Sequence, residues 1–246
     1  MNALQAAIIA FMKCNVERLI KALVGSELMA DRKNSEERVG QGQEKYVVTV
    51  SRNYGARGKD AAQLLADRLG VRCCDRAILQ EVAHRAHVDV DLVTALDEHV
   101  KHIRGDWWHA LVDTRTFSRE QYFYHLVKVI LSISRTGGVI VGRGAHLILG
   151  PDTAFRVRIV GTLLRCAERI AKRENLDAEA ARQRVLAVDR ERSDYIRELY
   201  GVDADDASYY DLVVNSDRFG VEEMVDNILF CMQSAGYVLP ERAVTD

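Results

Sequence analysis

Residues Tyr46–Asp60 read YVVTVSRNYGARGKD and decide the fold of this chain. The β-branched run at the start predicts a strand, and the glycines Gly55 and Gly58 predict a loop that leads into a helix. Phosphate-binding folds hold their anion with this construction, because the N–H groups that open the helix point at the ligand. The standard phosphate-loop pattern GxxxxGK(S/T) is not met, since counting back from Lys59 puts Asn53 at the first glycine.

The loop keeps the physical features of an anion site although the pattern fails. Gly55 and Gly58 permit a positive φ and a close approach of the backbone to a ligand. Arg52, Arg57 and Lys59 could supply the positive charge that one lysine normally carries, and an arginine fork suits phosphate oxygens. An ordinary strand-to-helix turn with two glycines explains the segment equally well.

The composition limits the class of protein. The chain has 246 residues, of which 48% are hydrophobic, so it can bury a large core and form one globular domain with appendages. The net charge of −2 gives no overall field for nucleic acid or membrane, so we expect neither as a partner. The five cysteines are scattered, odd in number and without metal-binding spacing. This favours a reducing, cytoplasmic location, and we assign no side chain to a metal.

The N-terminal segment predicts an appendage to that domain. Residues 1–30 carry a helical stripe of apolar side chains interrupted by charges, which indicates an amphipathic helix whose apolar run is too short to span a bilayer. Such a helix packs on its own domain or on a second subunit, so it could build a homo-oligomer. Residues 31–45 are typical of a linker, residues 46–236 form the predicted domain, and residues 237–246 form a tail.

Strands and helices alternate through the predicted domain. A helix over 59–69 ends at Gly70, as a C-terminal glycine should end it. The further predicted strands are 71–74, 138–142, 155–160 and 212–214, and the further helices include 163–174, 177–199 and 221–232. Strands separated by helices need crossover connections, so the pattern predicts a parallel, doubly wound sheet with the first strand at its centre.

Two candidate ligand residues follow predicted strands directly. Asp75 could cap the next helix, or it could reach a substrate or Mg²⁺. Arg143 lies between Gly142 and Gly144, whose free backbone would let its guanidinium enter the crevice at the carboxyl edge of the sheet. We therefore expect Gly142-Arg143-Gly144 beside the glycine loop.

Residues 165–197 are dense in arginine and lysine. Interspersed carboxylates make most of these cations the solvated faces of two charged helices. Phosphoryl transfer depends on neutralising the charge of the moving group, so a minority could serve as a lid that closes over it. The segment contains Arg165, Arg169, Lys172, Arg173, Arg182, Arg184, Arg190, Arg192 and Arg197.

From about residue 46 to residue 235, the order of short motifs resembles the cytidylate-kinase-like proteins, a divergent branch of the P-loop nucleoside monophosphate kinases. The motifs are SRNYG at 51–55 with Gly58, CDR at 74–76, VIVGRGA at 139–145, ER at 168–169, DRER at 189–192 and YDLVVN at 210–215. Their order and spacing are more specific than any one of them.

The resemblance implies a P-loop NTPase-like three-layer α/β fold with a mainly parallel sheet. It also implies a helical insertion for the nucleoside monophosphate at about 76–135 and a lid at about 165–200. ATP and Mg²⁺ would be the cofactors, and the γ-phosphoryl group of ATP would pass to a CMP-like acceptor, a small-molecule nucleotide.

The same resemblance assigns roles to residues. The glycine loop would bind ATP through Ser51, Arg52, Asn53, Tyr54, Gly55, Ala56, Arg57, Gly58 and Lys59. The acceptor would contact Asp75, Arg143, Arg169 and Asp189. Catalytic neutralisation of the phosphoryl group would fall to Arg52, Arg57, Arg143, Arg173, Arg190 and Arg192.

Two departures from the family plan keep a second hypothesis open. Aligned on the following helix, Gly58 stands at the place of the phosphate-loop lysine, and Lys59 at that of the Mg²⁺-binding hydroxyl. Residues 192–195 read RSDY where cytidylate kinases carry an Asp-Ser-x-Arg element. The chain is therefore either a nucleotide kinase or a nucleotide-binding regulatory or scaffold protein with little turnover.

Overall fold

The computed structural model describes residues 45–75 and 119–240. The predicted N-terminal helix, nearly all of the linker, most of the insertion at 76–135 and the last six residues of the tail lie outside these ranges. In the described part of the chain, no helix combines the length and the apolar character that a membrane span requires.

A five-stranded sheet forms the centre of the fold. Its strands are β1 (Val47–Arg52), β2 (Cys73–Cys74), β3 (Gly138–Val141), β4 (Phe155–Val160) and β5 (Leu212–Asn215). They lie in the order β2-β3-β1-β4-β5, and every neighbouring pair is parallel. The predicted parallel sheet and the central position of β1 are confirmed.

The described helices connect these strands. They are α1 (Gly58–Leu69), α2 (Arg119–Thr136), α3 (Ala145–Leu149), α4 (Leu163–Glu174), α5 (Ala178–Tyr200) and α6 (Val221–Ser234), with a 3₁₀ turn at Ala207–Tyr209. The predicted helices end within about two residues of these bounds, as expected where helix ends fray. The sequence did not predict α3, because five residues are too few to show a helical period.

Two separate clusters of buried side chains cover the two faces of the sheet. Val48 and Val50 of β1 pack in one cluster, with side chains of α1, α4 and α6. Val47 packs in the other, with side chains of α2 and α3. Successive residues of a strand point to opposite faces, so a parallel strand buried on both sides reads as a continuous apolar run. The arrangement is the predicted three-layer, P-loop-like α/β fold.

The starts of three helices differ in how their backbone N–H groups are satisfied. Thr162 caps α4 by accepting from Arg165 N, and Asp177 caps α5 by accepting from Ala180 N at 2.8 Å. Helix α1 begins after Arg57, whose side chain makes no capping hydrogen bond. The first N–H groups of α1 therefore remain available to water or to a ligand.

Candidate functional site

The glycine loop and the Gly142-Arg143-Gly144 segment lie side by side at the carboxyl edge of the sheet. β1 and β3 are neighbours, and Gly142 N donates to Val50 O at 3.0 Å. Ligands of open parallel sheets bind at this edge, where connections leave a central strand in opposite directions. The expected position of Arg143 beside the loop is confirmed.

The backbone of the loop departs from the expectation at one glycine. Gly55 has φ 85, as predicted, and a side chain on it would meet Cys166 of α4, whose carbonyl oxygen would lie 2.6 Å from the added Cβ. Gly58, in contrast, is the first residue of α1 and does not have a positive φ. The positive φ that Gly58 would permit is found instead at Arg57, which takes the left-handed conformation with φ 58.

Three arginines converge on the space between these segments. They are Arg52 at the end of β1, Arg143 after β3 and Arg192 on α5, and Arg192 Nη1 donates to Arg52 O at 3.1 Å. Burial, together with the positive charges of Arg192 and Arg143, lowers the pKa of Arg52 to about 10. Burial is also the main cause that lowers the pKa of Arg192, and Arg143 adds to it. We call these three residues the arginine cluster.

Two carboxylates face the arginine cluster without neutralising it. Asp75 lies 3.9 Å from Arg52 and 3.8 Å from Lys59, and Asp189 lies 3.7 Å from Arg192. These separations exceed those of hydrogen-bonded ion pairs. Partly buried like charges held together in this way favour the binding of a multiply charged anion.

Asp189 ties the lid helix α5 to the glycine loop. Its carboxylate accepts from Tyr54 N at 2.7 Å and from Asn53 Nδ2 at 3.2 Å. Burial raises the pKa of Asp189, while these hydrogen bonds and Arg192 act in the opposite direction. Asp189 thus holds the loop that precedes α1. Its predicted role in substrate binding stays a prediction.

Tyr54 makes a second connection between the loop and the lid. Its hydroxyl donates to Glu174 at the end of α4. The guanidinium carbons of Arg173, Arg192 and Arg184 lie 5.0, 5.4 and 6.0 Å from the centre of its ring. Cations at these distances are attracted to an aromatic face. Arg173, predicted as catalytic, therefore contacts Tyr54 of the glycine loop.

Arg169 braces the glycine loop against the end of β5. It donates to Ser216 Oγ at 3.1 Å, to Ser216 O at 2.8 Å and to Gly55 O at 3.3 Å. It also pairs with Asp217 at 3.3 Å. The donors predicted to bind substrate are engaged with the protein itself, and they fix the position of Gly55.

The remaining predicted residues make no described contact with the arginine cluster. Arg57 and Arg190 are exposed and lie outside the contacts described above, and Ala56 is buried. Lys59 is exposed over 73% of its side chain and faces Asp75. Their predicted roles in catalysis and ATP binding stay predictions.

His146, which lies in α3 beneath the site, was not among the predicted site residues. Its Nδ1 is 3.3 Å from Ser51 Oγ, and its ring stacks on Tyr210 with centroids 4.8 Å apart. Burial, with added repulsion from Arg158 and Arg156, lowers the pKa of His146 to about 3. The imidazole is therefore neutral at physiological pH and packs as an aromatic ring.

Two tyrosines of α5, also not predicted, hold the Arg143 segment. The Tyr200 hydroxyl donates to Arg143 O at 2.7 Å, and its ring occupies the space where a Gly144 side chain would lie. The guanidinium carbon of Arg143 lies 5.8 Å from the centre of the Tyr195 ring. The lid helix thus orients Arg143 as well as supplying Arg192.

The sheet order, the glycine loop before α1 and the arginine cluster define a P-loop-like α/β protein with a positively charged crevice at the carboxyl edge of its sheet. The profile of the cytidylate kinase-like family matches residues 47–218. That match spans most of the chain, and the chain belongs to this family.

Two relatives agree with this assignment, and a solved structure agrees with the fold. Cytidylate kinase from Methanopyrus kandleri is 28% identical over 179 residues, which cover 72% of this chain and 88% of that protein. Cytidylate kinase from Methanocaldococcus jannaschii is 25% identical over 181 residues, covering 72% and 91%. The crystal structure of an uncharacterized protein from Eubacterium ventriosum superposes with a TM-score of 0.59 at 19% identity, covering 77% of this chain and 99% of that one. At that identity the superposition supports the fold alone.

Proposed function

We propose that this protein is a nucleoside monophosphate kinase-like phosphotransferase that moves the γ-phosphoryl group of ATP to a CMP-like acceptor. The observation that carries the proposal is the arginine cluster of Arg52, Arg143 and Arg192, which lies between the glycine loop and the Gly142-Arg143-Gly144 segment. The start of α1, which follows the loop, has no side-chain cap. Phosphoryl transfer needs preorganised positive charge around the moving group more than it needs covalent chemistry.

Each part of the cluster suits one step of that reaction. The N–H groups at the start of α1 and the Arg52 guanidinium would bind the donor phosphates. Arg143, which follows the neighbouring strand β3, would bind the acceptor phosphate, and Arg192 would contact both phosphates from α5. The family relationship and the names of the archaeal relatives support a nucleotide as the acceptor.

Asp75 fits a supporting role toward Mg²⁺. Its carboxylate is partly exposed beside Arg52 and Lys59. Among residues 45–75 and 119–240, no group of three or more His, Cys, Asp or Glu side chains could hold a metal ion by itself. Mg²⁺ typically binds one or two carboxylates, with phosphates and water completing its shell. Bound there, it would neutralise charge on the donor phosphates.

A second candidate function is nucleotide binding with little turnover, in a regulatory or scaffold role. Gly58 and Lys59 stand where a lysine and a hydroxyl residue would assist Mg²⁺-dependent transfer. The Asp189 carboxylate also accepts the Tyr54 N–H, a loop donor that an anion would otherwise compete for. Both observations favour a slow or inactive enzyme.

A coupled ADP-release assay with ATP, Mg²⁺ and a panel of nucleoside monophosphates separates the two functions. We expect ADP release that depends on a pyrimidine monophosphate and falls at least about ten-fold in Arg143→Met. The exposed Arg182→Met on α5 is the matched control and should retain full activity. ATP binding without ADP release, for every acceptor, would select the regulatory function. Absence of ATP binding would refute both.

We further propose a reducing, cytoplasmic location and a possible homo-oligomer through residues 1–30. The described cysteines Cys73, Cys74, Cys166 and Cys231 are free thiols, as such a location allows. Sedimentation of the full chain, compared with a chain starting at residue 43, tests the oligomer. The same number of subunits in the full and the shortened protein would refute the oligomer.

A further inference from the structure

The side chain of Arg52 follows a path that two glycines keep open. Its Cβ and Cγ pass over Gly58, at 2.5 and 2.9 Å from where a Cβ on that residue would lie. Its Nη1 then lies where a Cβ on Gly142 would be. No real Cβ tolerates such distances, so a side chain at either position would displace Arg52.

This path connects two positions of the phosphate loop. When the chain is aligned with the standard loop on the following helix, Gly58 stands where that loop has its lysine. Arg52 lies at the other end of the loop, as the last residue of β1. Its aliphatic stem lies over position 58, and its charge ends beside the segment that carries Arg143. In the pattern GxxxxGK the first glycine lies six residues before the lysine, so it falls at position 52 when the lysine falls at 58. This chain therefore has arginine and glycine where the standard loop has glycine and lysine, a difference that we call the exchange.

We propose that Arg52 performs the task of the phosphate-loop lysine, and that Gly58 must be glycine because the Arg52 stem occupies the space above it. The inference rests on the proposed function and deepens it, since it assigns the contact with the outer phosphates of a nucleoside triphosphate to one residue. It also explains why the chain lacks the standard loop pattern while keeping the fold.

Other cations of the loop fit this task less well. Arg57 is exposed at the start of α1 and is not among the charges that act on Arg52. Lys59 is 73% exposed and faces Asp75 at 3.8 Å. The Arg52 side chain is only 19% exposed, and the charges of Arg143 and Arg192 act on it. A guanidinium held in a mostly buried position acts on a phosphate without a large loss of side-chain entropy.

A variant series measured by calorimetry with MgATP, and with inorganic tripolyphosphate, tests the role of Arg52. Arg52→Met keeps the stem above Gly58 and removes the charge, and should weaken both ligands about ten-fold to a hundred-fold. Arg52→Lys should recover part of that loss. Arg182→Met, an exposed arginine outside the cluster, should bind within about two-fold of wild type. Wild-type affinity in Arg52→Met would overturn the proposal.

The exchange itself is tested with Gly58→Lys, Arg52→Gly and the double variant. Gly58→Lys alone should unfold at lower denaturant concentration, because two side chains then compete for one space. In the Arg52→Gly background the same substitution should cost much less stability and should raise MgATP affinity at least about ten-fold. A double variant that binds no better than Arg52→Gly would refute the exchange.

These results separate this inference from the proposed function. If wild type binds MgATP and Arg52→Met is unaffected, Arg52 does not replace the lysine, while the kinase proposal stands. If Arg52→Met loses MgATP affinity but no acceptor yields ADP with the wild-type protein, the role of Arg52 in binding stands and the kinase proposal fails. If wild type binds neither MgATP nor tripolyphosphate, both fall.

Discussion

Gly55→Ala should destabilise the protein more than the same change at Gly236, although the two glycines have nearly the same backbone conformation. Their φ angles are 85 and 92. Alanine in the left-handed region costs about 1–2 kcal/mol at either position. A Cβ on Gly236 would meet nothing within 4 Å, whereas a Cβ on Gly55 would lie 2.6 Å from Cys166 O and 3.0 Å from Cys166 Cα. Such overpacking costs roughly 1–3 kcal/mol more.

The difference between the two variants isolates the contact of the glycine loop with α4. We expect Gly236→Ala to lose about 1–2 kcal/mol of unfolding free energy and Gly55→Ala about 2–5 kcal/mol, from urea denaturation with a common slope. The effect of alanine on the unfolded chain is the same for both variants and cancels.

The affinity of the same two variants for MgATP is a second and independent test of the contact between the glycine loop and α4. To admit the new Cβ, the loop must move away from Cys166, which displaces the Gly55 carbonyl from Arg169. Gly55→Ala should therefore weaken binding of MgATP by at least about ten-fold, while Gly236→Ala should leave it unchanged. Equal destabilisation of both variants, with wild-type ATP affinity in Gly55→Ala, would refute the account of the loop.

Three further predictions follow from contacts of the site. Arg143→Gly should leave the free energy of unfolding in urea unchanged or raise it by up to about 1 kcal/mol, because φ 59 suits glycine. The same variant should bind phosphate more weakly in calorimetry. A clear loss of stability would instead mean that Arg143 has a folding role. His146 has a pKa lowered from 6.5 to about 3, so below pH 6.5 the unfolded chain binds a proton at His146 that the folded protein does not bind. The free energy of unfolding is therefore highest above pH 6.5 with respect to this group, and it decreases as the pH falls toward 3. His146→Phe should flatten that loss, which is on the order of 1.4 kcal/mol per pH unit, and an unchanged pH profile of unfolding would contradict it. Tyr54→Phe removes the hydrogen bond to Glu174 and should cost about 0.5–1.5 kcal/mol; a neutral effect would show that the lid does not depend on it.

The sequence predicted the fold because its signals are local. Strand β1 is a run of β-branched residues, and Gly70 ends α1 with φ 69. Strand-end residues such as Arg143 could be placed at one edge of the sheet, since parallel strands share their carboxyl edge. The sequence alone therefore predicts Arg143 beside the glycine loop.

Most of the contacts within the site could not be predicted in this way. Asp189 binds the Tyr54 N–H across 135 positions of the chain, and no periodicity shows which charge on a helix faces a distant loop. The same limit applied to the lid arginines, among which Arg192 enters the cluster and Arg190 is exposed. The need for glycine at 58 became visible only with the path of Arg52.

The brace formed by Arg169 has a consequence for the order in which the protein acquires its site during synthesis. The glycine loop is near the start of the domain, but Arg169 holds it to Ser216 and Asp217, near the end. A nascent chain that ends before residue 216 lacks the partner that fixes Arg169, and with it the anchor of the Gly55 carbonyl. The ribosome must therefore release nearly the whole domain before the Gly55 carbonyl is anchored, so the glycine loop, although made early, takes its final position late.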